Sequence, residues 1–465
     1  MISVIVQIDR SAATPVRAQI AESYARAIRS GELAPGVALP SVRALSARLG
    51  VSPVTIVSAY RELCAAGLAV AVPRSGYRVG SVVTPSESRR HIFQLNRIEP
   101  DLRIHPVVEC ARLIAELASD PGIGGYADYR GEPGLREAVA GLDRELGIES
   151  EPEQGLLITS GAQQALSLLG RALPSGSVVA VEDPCYPGAR LAFSGAGATL
   201  VPFPTGNDGP EESALSVLAE PGRIAAFYCC PTYANPTGRS WSAVARRRVM
   251  QAAQRGGCLL IEDDYLGDLD DPRDAPPRLA ALAKRYPGVR VVRIHTFSKT
   301  LLPALRLASV AGTPELIVRL LSLKVADDLG CSAFLQRALA RLIASGEYQR
   351  HLARVRPRYR QTREAMCQAI EGIGEGIVFD AIPAGFCLLG RLDRAIDCGR
   401  FIAECARRGV LLTPGADYWA DAAQGADRFR IGFGSLAPEE VASVFSVLEE
   451  AAASVRHAQG NWSLL

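Results

Sequence analysis

The sequence predicts two domains: a small helical domain that ends in a β-hairpin, and a large α/β domain built on a mostly parallel sheet. The chain has 465 residues, which is too long for one hydrophobic core. Its basic charge is concentrated at one end. Residues 1–80 carry nine arginines against four acidic residues, a net charge of +5, while the remainder carries 42 basic against 45 acidic residues, a net −3. Apolar strand-like runs alternate with helical stretches only beyond residue 106.

The composition excludes several classes of protein. Hydrophobic residues make up 48% of the chain and charged residues 22%, which is typical of globular domains. No apolar run is long enough to cross a bilayer, and the first residues lack the basic leader and cleavage site of a signal peptide. The eleven cysteines form no C-x-x-C pair, which favours buried, reduced thiols. We expect a cytoplasmic protein without membrane contact and without a metal site.

The first eighty residues predict three helices followed by a hairpin. The helices span Pro15–Ser30, Ser41–Gly50 and Ser52–Gly67, each opened by a proline or a capping serine and closed by or near a glycine. The strands are Leu68–Val72 and Tyr77–Val79, joined by a tight turn that contains proline and glycine. Two helices separated by a short turn, followed by a hairpin, predict a winged helix-turn-helix.

In that fold the third helix enters the major groove of DNA, and the hairpin loop reaches the minor groove or the backbone. Thr55 and Ser58 are expected to be the exposed polar side chains of the third helix there, and the arginines of these elements are placed for phosphate or base contacts. The DNA-binding candidates are Arg43, Arg48, Thr55, Ser58, Arg61, Arg74 and Gly76. The alternative is a small domain for protein contact whose arginines are simply solvated.

The run LPSVRALSARLGVSPVTIVSAYRELCAAGLAVAVPRSGYRV resembles the winged-helix domain of the GntR family of bacterial regulators. The resemblance covers essentially all of residues 12–80 and implies binding to double-stranded DNA. One departure concerns Pro53, because the family often has a basic residue directly after the serine that caps the recognition helix. The departure leaves the preferred DNA sequence open.

Residues 81–105 are polar and lack periodicity, which predicts a linker between residues 1–80 and a domain of residues 106–465. In that domain we expect a large subdomain at about 125–330 and a small one at about 331–465.

The strand-like runs of this domain are Leu156–Ile158, Val178–Val181, Ala225–Cys229, Cys258–Ile261 and Val289–Ile294. Ligands of such sheets bind at the carboxyl ends of the strands, so the residues that follow the runs are informative.

Two of these turns present hydrogen-bonding groups to a ligand, and the first of them suits a phosphate. The run from Thr159 to Leu166 leads from a strand into a helix, where free N–H groups and the helix dipole favour an anion. The run Asn235-Pro236-Thr237-Gly238 places an amide that can hydrogen-bond a ligand oxygen. Each also has an ordinary interpretation, since many turns contain Ser-Gly or Asn-Pro.

The run from Leu259 to Tyr265 places acidic residues and a phenol at the end of a strand. A carboxylate beneath a heterocycle keeps a pyridine nitrogen protonated, and a phenol can meet a ring oxygen. A solvated acidic loop is the alternative. A pair of metal ligands is another alternative, but no third ligand lies at a suitable spacing in the sequence.

The run HTFSKTLLPALR, residues 295–306, is the most specific motif. A partly buried lysine beside an arginine has a lowered pKa, as imine formation with an aldehyde requires. The side chains of Thr296, Ser298 and Arg306 can hold a phosphate near Lys299. The alternative is that Lys299 is simply exposed on the surface, as most lysines are.

These four motifs, in this order, resemble the fold-type I aminotransferase family of pyridoxal-phosphate proteins over roughly residues 106–435. The resemblance implies that Lys299 is the Schiff-base lysine, that Asp263 meets the pyridine nitrogen, and that Tyr265 and Asn235 meet the ring oxygen. The other implied residues are Gly161, Ala162 and Gln163 around the phosphate, Tyr186 stacked on the ring, Tyr126 reaching the phosphate of a partner subunit, and Arg430 on a substrate carboxylate. A surface salt bridge is the alternative for Arg430. His295 stands where close relatives often have glycine, so the rim of the pocket is expected to differ there.

Together the two halves resemble the MocR subfamily of GntR-type regulators, as the runs EDPCYPGAR and TFSKTLLPALRL also indicate. The resemblance implies a homodimer on paired DNA half-sites. We expect a regulator that senses an amino compound through an external aldimine on pyridoxal 5′-phosphate, with little or no turnover. A true aminotransferase with a DNA-binding appendage and a sensor of pyridoxal phosphate itself are the alternatives.

Overall fold

The computed structural model describes residues 6, 8–9, 14–29, 33, 36–65, 68–72, 76–79, 92–120, 122–270, 275–379 and 385–460. The chain divides into two compact units, Met1–His91 and Ile92–Leu465, called here the N-terminal and C-terminal units.

The N-terminal unit has the predicted winged helix-turn-helix fold. Its elements are α1 (Val16–Arg29), α2 (Val42–Leu49), α3 (Pro53–Ala65), β1 (Ala69–Val72) and β2 (Gly76–Val79). The Ser41 hydroxyl caps α2 by accepting the N–H of Ala44 at 3.2 Å, and Gly50 ends the helix in the left-handed region at φ 60°. Ile20, Tyr24, Leu45 and other residues of the three helices form one buried core, against which β1 and β2 pair antiparallel.

The C-terminal unit contains the remaining helices and strands. The α-helices are α4 (Val107–Glu116), α5 (Pro133–Glu145), α6 (Ala162–Ala172), α7 (Pro187–Gly195), α8 (Glu212–Leu218), α9 (Ala243–Gly256), α10 (Leu279–Leu282), α11 (Pro314–Asp328), α12 (Ala333–Ala344), α13 (Glu347–Glu371), α14 (Cys398–Arg407) and α15 (Val441–Gly460). The strands are β3 (Phe93–Gln94), β4 (Leu156–Thr159), β5 (Val178–Asp183), β6 (Thr199–Pro204), β7 (Ala226–Cys229), β8 (Leu259–Asp264), β9 (Arg290–Thr296), β10 (Ala308–Ala311), β11 (Ile377–Phe379), β12 (Cys387–Leu392), β13 (Val410–Leu411), β14 (Thr413–Pro414) and β15 (Arg428–Gly432).

Seven of these strands form the central sheet, in the order β4-β10-β9-β8-β7-β5-β6. The prediction of a mostly parallel sheet is confirmed, since only β10 pairs antiparallel with its neighbours. Side chains alternate between two buried faces: Val179 and Val181 join one apolar cluster, whereas Ala180 between them joins another. Burial on both faces explains the continuous apolar runs of the sequence. Two strands of this sheet were not predicted: β6, which contains two prolines, and β10, which is short and made largely of small residues.

A second, antiparallel sheet has the order β11-β12-β15-β14 and packs with α13, α14 and α15 around its own core. A short parallel pair, β3 with β13, lies beside it and brings the start of the C-terminal unit next to these strands. This arrangement places β15, which carries Arg430, within reach of residues 93–99.

Two predicted boundaries are wrong. The linker does not extend to residue 105, because residues 92–105 belong to the C-terminal unit, where Phe93 pairs with Val410 and Leu95 is fully buried. The small subdomain does not begin at about residue 331, because α12 packs on α4 and α5 beside the central sheet. The long helix α13 connects the two subdomains and continues through Pro357.

No helix in the described parts of the chain is long and apolar enough to span a membrane. Among the same residues, no group of histidine, cysteine and acidic side chains is arranged to hold a metal ion.

Candidate functional site

A cavity of about 380 Å³ opens at the carboxyl ends of the parallel strands in the C-terminal unit. Most of the residues predicted to hold the cofactor or the effector line it. These are Ala162, Gln163, Tyr186, Asn235, Asp263, Tyr265, Thr296, Ser298, Lys299, Arg306 and Arg430. Residues that are distant in the sequence therefore meet in one place, as expected for ligand sites of such sheets.

Asp263 presents an unsatisfied carboxylate oxygen inside the protein. It is the penultimate residue of β8, and its Oδ2 accepts a hydrogen bond from the Tyr228 hydroxyl at 2.7 Å. Its Oδ1 is buried and has no partner. Burial raises the pKa of Asp263 from 3.8 to about 6, against the opposing effect of the Tyr228 hydrogen bond. A cationic N–H donor placed in the cavity would satisfy this oxygen.

Lys299 lies in the loop after β9, and its ammonium Nζ donates a hydrogen bond to the Ile98 carbonyl at 2.5 Å. Burial lowers its pKa, and the positive charges of Arg306 and Arg430 act in the same direction. The chain contains only two other lysines, and neither is available to this cavity. Lys284 is exposed, and Lys324 is buried with its Nζ 2.7 Å from Asp328 Oδ1.

The end of the cavity next to α6 is built for an anion. The N–H groups of Ala162 and Gln163 belong to the first turn of α6, where no preceding helical carbonyl accepts them. Gly161 adopts φ +87°, and a Cβ there would stand 2.8 Å from Arg306 Nη2. Arg306 itself adopts φ 47° and turns its guanidinium toward this helix start, with Nη2 3.5 Å from the Ser160 carbonyl. Glycine therefore suits both the positive φ of this position and the close approach of Arg306 to the helix start.

Aromatic and amide groups line the middle of the cavity. Tyr186 lies over Gly188, where a Cβ would come within 2.5 Å of its ring, and its hydroxyl donates to Gln163 Oε1 at 3.2 Å. The Tyr265 hydroxyl donates to the Tyr233 carbonyl at 2.7 Å. Asn235 is joined to Pro236 by a cis peptide bond. These side chains line the same cavity as Asp263 and Lys299.

Arg430 is a buried guanidinium without a carboxylate among its described contacts. Its Nη2 donates to the Asn96 carbonyl at 2.5 Å and to the Thr413 hydroxyl at 3.0 Å. Its Nη1 makes a longer contact of 3.4 Å with Asn235 Oδ1, and its Nε is buried with no partner. The guanidinium also lies 5.5 Å from the centre of the Tyr418 ring. The predicted alternative, a surface salt bridge, is wrong because the residue is only 4% exposed.

Two further predictions concern residues outside this cavity. Tyr126 is 86% exposed, and its predicted contact with a partner subunit stays a prediction. His295 does not change the rim of the cofactor cavity as expected. It lies on the other face of β9, where its Nε2 is 2.7 Å from Asp268 Oδ2 in a second cavity of about 360 Å³.

The N-terminal unit presents an exposed surface at the start of α3. Arg43, Arg48 and Arg61 are exposed, and Arg48 also donates a hydrogen bond to the Tyr24 hydroxyl at 3.4 Å. Gly76 is exposed at φ +87°, whereas Arg74 lies outside the described residues.

The prediction that Thr55 and Ser58 are exposed is wrong, because both flank the buried stripe of α3 and are half-buried. The Thr55 hydroxyl lies 2.9 Å from Ser52 Oγ, within the cap of the helix. The most exposed apolar side chain here is Val54, at 73%.

Comparison with known proteins matches the chain to two protein families. Residues 16–79 match the family of bacterial regulatory proteins of the gntR type, and residues 75–448 match aminotransferase class I and II. The chain is 30% identical to the uncharacterized HTH-type transcriptional regulator YisV of Bacillus subtilis, over 89% of this chain and 91% of that protein. It is 29% identical to the probable rhizopine catabolism regulatory protein MocR of Rhizobium meliloti, over 88% of each chain. The chain belongs to the MocR subfamily of GntR-type transcription regulators.

The fold of the C-terminal unit of this MocR-type regulator is shared with solved aminotransferases. The α-aminoadipate aminotransferase LysN of Thermus thermophilus, solved with N-(5′-phosphopyridoxyl)-L-leucine, aligns with a TM-score of 0.71 and 28% identity. The alignment covers 80% of this chain and 94% of LysN. Aminotransferases of class I and II depend on pyridoxal phosphate, which is therefore the cofactor of this domain. The unsatisfied Asp263 Oδ1 and the glycine-lined cradle beside Arg306 fit its protonated pyridine and its phosphate.

One group of residues in the site of this MocR-type regulator was not predicted from the sequence. Residues 96–99 line the cavity, together with Tyr228 and Cys230. Residues 96–99 fall within the predicted linker because they have no periodicity. Asn96 and Ile98 contact the site through their backbone carbonyls, which sequence does not reveal. Tyr228 had a usable signal, since a phenol near the end of an otherwise apolar buried strand needs a hydrogen-bond partner.

Proposed function

We propose that this protein is an effector-responsive transcription regulator, whose winged helix binds operator DNA and whose cofactor cavity binds an amino compound with an acidic group. One observation carries the proposal. The buried guanidinium of Arg430 faces the cavity that also contains Lys299, and no carboxylate among the described residues pairs with it. A buried cation with an unused N–H is the complement of a small acidic ligand.

Pyridoxal phosphate, when bound, supplies an aldehyde carbon that condenses with amines. The residues of this chain would hold it as follows. Asp263 would accept the pyridine N–H on its free Oδ1, and Tyr186 would pack on the ring. The phosphate would be held by Gly161, Ala162, Gln163, Thr296, Ser298 and Arg306, the ring oxygen by Tyr265 and Asn235, and Tyr126 would reach the phosphate from a second copy of the chain.

Lys299 would provide the amine that holds the cofactor. Its lowered pKa increases the fraction of neutral amine, which is the nucleophilic form. The amino group of an effector would compete with Lys299 for the same carbon, while Arg430 holds the effector's acidic group. Lys299 and Arg430 together therefore select compounds that carry both an amine and an acid.

We propose that the protein acts as a cytoplasmic homodimer on paired half-sites, with little or no turnover. The winged helix supports the DNA-binding role: Arg43 and Arg61 are exposed, as phosphate contacts require. Effector binding can shift DNA affinity only by as much as the effector's affinity differs between the two states of the protein.

The test uses the full-length protein loaded with cofactor. The twenty standard L-amino acids are screened for shifts in the cofactor absorbance, and those that shift it are added to a titration of operator DNA selected from a random duplex library. The proposal predicts that at least one of them changes DNA affinity, and that Arg430→Met abolishes the response without loss of cofactor.

Two results would favour the alternatives. Rapid multiple turnover with a keto acid indicates an enzyme. A difference in DNA affinity between cofactor-free and loaded protein, with no effect of any amino acid, indicates a sensor of the cofactor itself.

A further inference from the structure

Residues 95–99, called here the strap, hold two cationic side chains of the cavity, Lys299 and Arg430, through backbone carbonyls. The Asn96 carbonyl accepts from Arg430 Nη2 at 2.5 Å, and the Ile98 carbonyl accepts from Lys299 Nζ at 2.5 Å. These are the two groups to which the proposed function assigns the effector's acid and its competing amine. The strap therefore engages both positions that an effector would use.

The strap is seated on β15 by close backbone contact. The Gly432 N–H donates to the Leu95 carbonyl at 2.7 Å, and a Cβ on Gly432 would stand 2.0 Å from the Arg97 carbonyl oxygen. The Thr413 hydroxyl donates to the Asn96 carbonyl at 3.1 Å. The strap is thus held by a glycine that permits its approach and by a hydroxyl that bridges it to Arg430.

The Nη2 group of Arg430 has no hydrogen left for a further acceptor. A guanidinium can grip a carboxylate with two parallel N–H bonds, either end-on through Nη1 and Nη2 or side-on through Nε and Nη2. Both arrangements use an Nη2 hydrogen. The two hydrogens of Nη2 are engaged by Asn96 and Thr413. A two-point grip on an acidic ligand therefore requires displacement of the Asn96 carbonyl or of the hydroxyl that supports it.

We propose that the effector's acidic group displaces the strap from Arg430, and that this displacement is the signal passed to the DNA-binding unit. The inference rests on the proposed function and names its regulation. The strap begins three residues after Ile92, and in the sequence only residues 80–91 separate Ile92 from β2 of the winged helix. A change at Asn96 is therefore made at the point where the C-terminal unit joins the chain that leads to the DNA-binding unit.

The strap can be loosened without substituting Lys299 or Arg430. Thr413→Val keeps the shape of the side chain but removes both the donor to Asn96 and one acceptor of Arg430 Nη2, and Thr413→Ser keeps the hydroxyl as a matched control. Gly432→Ala is a second variant, because its methyl group would push the Arg97 carbonyl away. The absorbance of the lysine-bound cofactor reports whether each variant is folded and loaded.

Three quantities are measured on the loaded, full-length proteins: affinity for the L-amino acid that most shifts the cofactor absorbance, DNA affinity with and without it, and hydrogen exchange in peptides covering residues 95–99. We expect the amino acid to increase exchange in the wild-type strap. We expect Thr413→Val and Gly432→Ala to bind the amino acid ~3-fold or more tightly, since one net hydrogen bond no longer opposes it. Without amino acid, their DNA affinity should shift toward the saturated wild-type value, whereas Thr413→Ser should behave as wild type.

The outcomes separate the inference from the function on which it rests. If the wild type responds to the amino acid while strap exchange is unchanged, or while both loosened variants keep wild-type affinities, the strap is not the transmitting element and the proposed function stands. If no amino acid changes wild-type DNA affinity, the proposed function fails, and the strap's role fails with it.

Discussion

The two units of this regulator present their functional groups in opposite ways. In the C-terminal unit the important side chains are buried, and atoms such as Asp263 Oδ1 and Arg430 Nε lack partners. In the N-terminal unit Arg43 and Arg61 are exposed, where water satisfies them. A buried, unsatisfied group has a large free-energy cost, so it indicates both where a ligand lies and which charge the ligand carries. An exposed arginine indicates only that a surface is basic. The structure therefore constrains the cofactor site much more closely than the DNA contacts.

The largest expected effect follows from removing the lysine that holds the cofactor. Lys299→Ala should abolish the absorbance band of the lysine-bound cofactor, because the other two lysines cannot replace it. Lys284→Ala, which removes an exposed lysine, is the control and should leave the spectrum unchanged. Loss of the band in the control, or its persistence in Lys299→Ala, would contradict the assignment of the site.

Asp263→Asn removes the charge that faces the pyridine nitrogen. A hydrogen bond to a charged group contributes roughly 1.5–3 kcal/mol, so cofactor affinity should fall by ~10-fold or more, as measured by fluorescence titration.

In the cofactor-free protein the pKa of Asp263 is about 6, above its ordinary 3.8. The folded state therefore takes up a proton that the unfolded chain does not, and the stability due to this group rises as pH falls from 6 to 4.

The same substitution should consequently stabilise the cofactor-free protein at pH 8, where the buried carboxylate is charged, by ~1–3 kcal/mol. Wild-type cofactor affinity should decrease below pH 6 as Asp263 becomes protonated. Identical urea unfolding curves for wild type and Asp263→Asn at pH 8 would show that the carboxylate carries no such cost.

Gly161→Ala tests the phosphate end of the cavity. Its methyl group would stand 2.8 Å from Arg306 Nη2, so we expect cofactor affinity to fall ~10-fold. Gly176→Ala also places a Cβ on a residue of positive φ, at +75°, but a Cβ there meets no atom within 4 Å. It controls for the cost of a side chain at positive φ, ~1–3 kcal/mol, so a larger loss of cofactor affinity in Gly161→Ala is attributed to the phosphate end of the cavity.

The smallest effect is expected at the DNA-binding surface. Arg61→Ala should weaken DNA binding a few-fold and reduce the slope of log affinity against log salt by ~1, as for a single phosphate contact. Arg26→Ala removes an exposed arginine from α1 as a charge-matched control. Equal slopes for the two variants would mean that the contribution of Arg61 is not a local contact.

Sequence reasoning was strongest where function needs a particular side chain. Asp263, Lys299 and Arg306 were predicted from motifs that follow apolar strands, and the structure brings them into one cavity. The carbonyls of Asn96 and Ile98 were missed, because a backbone acceptor can be supplied by any residue type. Thr55 was misjudged as exposed, because it flanks the buried stripe of α3 beside Ile56.

The fold was likewise predicted in some parts and missed in others. The parallel strands were predicted because burial on both faces makes them uniformly apolar, as in the fully buried β7. The subdomain boundary was not predicted, since α13 continues through it as one helix of 25 residues. Residues 92–105 carry no strand or helix pattern strong enough to distinguish them from a linker.

The central claim is that an amino compound controls DNA binding by competing with Lys299 for the cofactor. Borohydride reduction fixes the cofactor permanently on Lys299 and leaves the rest of the chain unaltered. The most direct measurement compares the DNA affinity of reduced and unreduced protein, with and without the amino acid that shifts the absorbance. We predict that the amino acid changes the DNA affinity of the unreduced protein and leaves that of the reduced protein unchanged. An equal response from both would show that sensing does not pass through Lys299.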